Sequence, residues 1–132
     1  MDFIKQISNY LTNNATLNAP MTSPVLSSDP SSVAIRETPS SISNRYLNKD
    51  KTVEFQFQIL VKDPGIIKAR ETVNLIADKL DGLPSIALNS VDGSFTMTKC
   101  ECYSTPGWVE TNEHGEHIYS ALFNAQLEKG GN

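Results

Sequence analysis

The residues best equipped for chemistry lie between positions 100 and 117. Glu110, Glu113, His114, Glu116 and His117 crowd together, and Cys100 and Cys102 precede them. Cysteine and histidine are zinc ligands, so a Cys, Cys, His site is the first chemistry to consider. The spacing speaks against it. Cys100 and Cys102 fall on one face of one strand, whereas structural zinc pairs use a knuckle with two or more residues between the cysteines. The competing reading is a polar hairpin turn running into a strand, with two soft cysteines packed on the sheet. Nucleophilic catalysis fares no better. Serines are plentiful, but there are only two histidines and no Gly-x-Ser-x-Gly elbow. Gly65, Gly82, Gly93, Gly107 and Gly115 stand alone, as turn and cap glycines do, and build no phosphate loop. Asp78 and Asp81 are paired carboxylates on what should be an exposed helix face, where solvation is their ordinary role. The sequence predicts no enzyme, no cofactor and no metal.

The elements that would position these residues are organised around 51 to 83, KTVEFQFQILVKDPGIIKARETVNLIADKLDGL. Val53, Phe55, Phe57, Ile59 and Val61 alternate with Thr52, Glu54, Gln56, Gln58 and Lys62, the period of a strand with one buried face. Leu60 is the one apolar residue on the polar side. The period then changes. Asp63 is placed to cap a helix and Pro64 suits its first turn. Ile66, Ala69, Val73, Ile76, Ala77 and Leu80 form one helical stripe. Gly82 supplies the stop, with Pro84 beyond it.

Before this unit, residues 2 to 14 predict a short amphipathic helix with Phe3, Ile7 and Tyr10 as its stripe and Ile4 and Leu11 beside it. Residues 15 to 32 are rich in Asn, Thr, Ser and Pro and read as an extended surface connection. Val33 to Glu37 is a short strand, and 39 to 50 a long polar loop holding Arg45, Tyr46 and Leu47. After the unit, Asp92-Gly93 marks a turn and a strand runs from Phe95 to about Tyr103. Turns are expected at Pro106-Gly107 and His114-Gly115. A last strand, His117 to Glu128, buries Tyr119, Ala121, Phe123, Ala125 and Leu127, and 129 to 132 is a frayed tail. The order α-β-β-α-β-β predicts one α+β domain over 1–132: a mainly antiparallel four-stranded sheet with two helices packed on one face.

At 132 residues, 39% of them hydrophobic, the chain is long enough to bury a core without staples. A formal charge of -4 argues against general affinity for nucleic acid, which needs clustered Lys and Arg to displace counterions. It leaves open a surface past which nucleic acid slides. No apolar run suffices to span a membrane. The start, MDFIKQISNYL, lacks the basic and apolar blocks of a secretory leader. Two cysteines this close in a strand make no ordinary disulfide framework, so a soluble protein in a reducing cytoplasm is expected.

What remains is adhesive surface. Ile67 and Leu75 fall off the apolar stripe of the central helix, Leu60 sits on the polar side of its strand, and Trp108 lies in a turn-rich segment. Scattered apolar surface residues are normal singly. Together these four predict a subunit interface, with Trp108 as an anchor.

At this point the residues resemble a known family. VEFQFQILVKDPGIIKARETVNLIADKLDGL looks like the strand-helix core of small siphophage neck proteins, variously labelled minor capsid, tail terminator or tail-to-head joining proteins. CECYSTPGWVETNEHGEHIYSALFNAQLE is similar to their turn, acidic hairpin and long closing strand, and DPSSVAIRETPS to their first strand. The likeness covers roughly residues 29 to 128. It departs from the family in the long Ser/Thr/Pro connection.

The resemblance implies a structural protein of the virion, assembled in the host bacterial cytoplasm. It implies a ring, typically a hexamer, at the head-proximal end of a long non-contractile tail. Such a ring stops tail-tube polymerisation and docks the DNA-filled head. Its partners would be further copies of itself, the tail tube protein and head-completion or connector proteins. DNA would pass through the lumen, and no membrane is involved. Arg45, Tyr46 and Leu47 would meet the tail tube or the lumen. Two other readings stay open: a head-completion protein on the capsid side, and a small monomeric binding module.

Overall fold

The computed structural model describes residues 3–23, 25–38, 52–82 and 95–129. Its elements are α1 (Phe3–Asn14), β1 (Met21–Thr22), β2 (Ser32–Glu37), β3 (Thr52–Asp63), α2 (Ile66–Leu80), β4 (Phe95–Thr111) and β5 (His117–Lys129). The strands form one sheet in the order β1-β2-β3-β5-β4. The first pair is parallel and the others antiparallel. The fold is α+β, as expected, but the sheet is five-stranded and mixed rather than four-stranded and antiparallel. The added strand, β1, lies inside the stretch read as a connection. It is two residues long and pairs Met21 with Val33 and Thr22 with Ala34, so no periodicity could announce it.

β3 is the centre. It pairs with β2 on one side and, from Thr52↔Glu128 to Asp63↔His117, with the length of β5 on the other. Phe55, Phe57, Ile59 and Val61 share one face with Tyr119, Ala121, Phe123, Ala125 and Leu127, and all are buried. Phe57 stacks on Phe123 at 5.2 Å, and Phe3 of α1 meets Phe55 and Phe57 edge-on at 4.8 and 5.6 Å. Each such ring stabilises the fold by roughly 1.5–3 kcal/mol through burial. Both helices contribute to this one core, so they cover the same face of the sheet. On α1 the buried stripe is Phe3, Ile7 and Leu11. Leu11 takes the place expected for Tyr10, which is only partly buried.

α2 begins later than the sequence suggested. Asp63 stays in β3, paired with His117, which holds it extended. Gly65 is the N-cap, with no side-chain cap hydrogen bond. Ala69, Val73, Ile76, Ala77 and Leu80 are buried, together with Thr72. Ile66, assigned to the same stripe, overhangs the core edge at the first turn and is 43% exposed. Gly82 ends the helix at φ 75°, a conformation glycine adopts at low cost. Its N–H donates to the Cys100 carbonyl at 2.8 Å, tying the helix end to β4.

β4 runs to Thr111, eight residues beyond the expected Tyr103, and Pro106-Gly107 is strand rather than turn. Two features permit this. β4 is the sheet edge, so a missing proline N–H need not break a ladder. Its pairing with β5 also shifts register four times, letting 17 residues oppose 13. The hairpin turn is 112–116, closed by Asn112 N–H to the Glu116 carbonyl (2.9 Å), with Gly115 at φ 77°. β5 extends through Lys129, the first residue of the expected tail. The expected Asp92-Gly93 turn, the 39–50 loop and residues 130–132 lie outside the described residues.

Candidate interaction surface

The groups that suggested chemistry are held apart. Cys100 opposes Ala125 and Thr111 opposes His117. Eight positions along β5, about 27 Å at 3.4 Å per residue, therefore separate Cys100 from His117, and six, about 20 Å, separate Cys102, which opposes Phe123. Cys100 is buried, and burial first, then the nearby Asp81, pushes its thiol up to about 12. It stays protonated at neutral pH, a poor ligand and nucleophile. Cys102 is also raised, chiefly by burial. Among the described residues no group of three His, Cys, Asp or Glu side chains could hold a metal ion.

The hairpin residues make a turn instead. Asn112 Oδ1 accepts from the His114 and Glu116 amides, both at 3.0 Å, and its Nδ2 donates to Glu116 Oε1 at 2.8 Å. Thr111 Oγ1 lies 2.8 Å from His117 Nδ1. Glu116 turns inward to Lys62 at 3.6 Å, both nearly buried. The Asn112 amide, then Lys62, outweighs burial and lowers the Glu116 pKa.

Lys62 and Asp63 together staple the corner where β3 meets α2. Lys62 Nζ donates to the Ser27 carbonyl at 2.7 Å. Asp63 Oδ1 accepts from Ser31 Oγ (2.6 Å) and Asn18 Nδ2 (3.0 Å), and Oδ2 from the Gly65 amide (2.8 Å). Burial alone would raise the Asp63 pKa. The hydrogen bonds from Ser31, Asn18 and Gly65, with Lys68 nearby, outweigh it and hold the carboxyl below its usual value. The nominal connection is thus fastened to the sheet. No sequence pattern showed this, because its partners are long-range.

The four apolar residues singled out for an interface occupy three places. Trp108 is 57% exposed on β4, opposite Tyr119. Ile67, also 57% exposed, lies about 40° around the helix from Asp81, at 100° per residue. Asp81 Oδ1 accepts from the Cys102 amide at 3.0 Å, so this flank of α2 faces β4. Ile67 and Trp108 therefore border the same side of the helix layer. Leu75 is about 120° from Asp81, on the other flank, where it lines a groove with Thr16, Lys68, Glu71 and Thr72. Leu60 is on the helix-free face, between Ala34 and Ser120, and half-buried. Polar groups surround it: Arg36 Nε donates to Gln58 Oε1, and Gln58 Nε2 to Ser120 Oγ, each at 2.8 Å. Arg45, Tyr46 and Leu47 lie outside the described residues.

Sequence reasoning missed Tyr103 and Val109. The exposed large hydrophobics among the described residues are Val25, Ile66, Ile67, Tyr103, Trp108 and Val109. All but Val25 lie on the first turn of α2 or on β4 from Tyr103 onward. The bulges of β4 break its alternation, which is why inspection of period two did not find them.

Compared with known proteins, residues 21–129 match the family model for bacteriophage tail terminator proteins. No curated protein matches the chain. No helix among the described residues is long and apolar enough to cross a membrane.

Proposed function

Since this chain belongs to the bacteriophage tail terminator family, we propose that it forms a ring, typically a hexamer, at the head-proximal end of a long non-contractile tail. Membership itself makes it a structural tail-assembly protein rather than a known type of enzyme. It places the chain in the virion tail, in contact with other tail and head proteins. The ring terminates tail-tube polymerisation and then presents the surface that joins the DNA-filled head. Its partners are neighbouring copies, the tail tube protein and head-completion or connector proteins.

The match over residues 21–129 carries this reading. The surface supports it. Trp108, Ile67, Leu75 and Leu60 supply apolar contacts on separate faces, as a subunit touching two neighbours requires. Arg45, Tyr46 and Leu47 contact the tail tube or line the lumen. A net charge of -4 suits a channel along which a phosphate backbone moves without sticking.

Deleting the gene from the phage tests the proposal. Closed, DNA-filled heads beside overlong or unjoined tails are expected. Leaky heads with tails of normal length would instead place the protein on the capsid side, as a head-completion component.

A further inference from the structure

We draw no further inference here: the strongest candidate, the exposed apolar patch on the outer half of β4 around Tyr103, Trp108 and Val109, carries none because nothing in the structure shows what covers it.

Discussion

Replacing Asp63 by Ala should cost more stability than a surface carboxylate ever does. Its side chain accepts three hydrogen bonds, from Ser31, Asn18 and the Gly65 amide, at a residue only 6% exposed. Hydrogen bonds to a buried charge contribute about 1.5–3 kcal/mol each, and the three are not additive because Asn18 keeps its bond to the Lys62 carbonyl. A loss of about 3–4 kcal/mol is expected, a large share of the roughly 5–15 kcal/mol that holds a domain together. Urea unfolding at pH 7 measures it. The pH dependence adds a second signature. The folded carboxyl lies below its ordinary value of 3.8, so its contribution is full above that pH and is lost as pH falls through the lower folded value. The gap between wild type and Asp63→Ala should therefore narrow at pH 3 and below. A difference under 1 kcal/mol at pH 7, or one that does not shrink in acid, would refute the idea that this carboxylate fastens residues 18 and 31 to the sheet.

Other outcomes follow from the same structure. Phe123→Ala removes the ring stacked on Phe57 and should cost about 3–5 kcal/mol in denaturant unfolding. Gly115→Ala forces a side chain into φ 77° and should cost about 1–2 kcal/mol, with a shift in urea midpoint as the readout. Cys102, part-exposed, should react with a maleimide at pH 8 at least tenfold faster than buried Cys100; equal rates would contradict the strand placement. His114→Ala with His117→Ala should leave assembly intact, and a loss of bound metal or of an activity would count for a site in the hairpin.

How much of this was legible in the chain depends on where each residue's partners lie. β3 and β5 could be read because one face of each is buried along its length, so Phe55 to Val61 and Tyr119 to Leu127 keep a strict alternation. The α2 stripe could be read for the same reason. β1 could not, because two residues carry no period and their place depends on Asn18 and Ser31 reaching Asp63 across more than thirty positions of chain. The outer half of β4 was misread because Pro106-Gly107 usually punctuates a turn, yet an edge strand tolerates both, and four bulges erase the alternation. Asp63 read as a helix cap because nothing local reveals its pairing with His117. On the surface, Ile67 and Trp108 could be picked out as apolar residues off pattern, and both are exposed. The groove beside Leu75 could not, since Thr16 comes from an irregular segment.

The most direct measurement is the mass of the purified protein by light scattering, alone and with tail-tube protein. The account predicts a closed ring, typically six 14.5-kDa subunits or about 87 kDa, either free or on addition of the tube. A monomer under both conditions, even when concentrated, would contradict it.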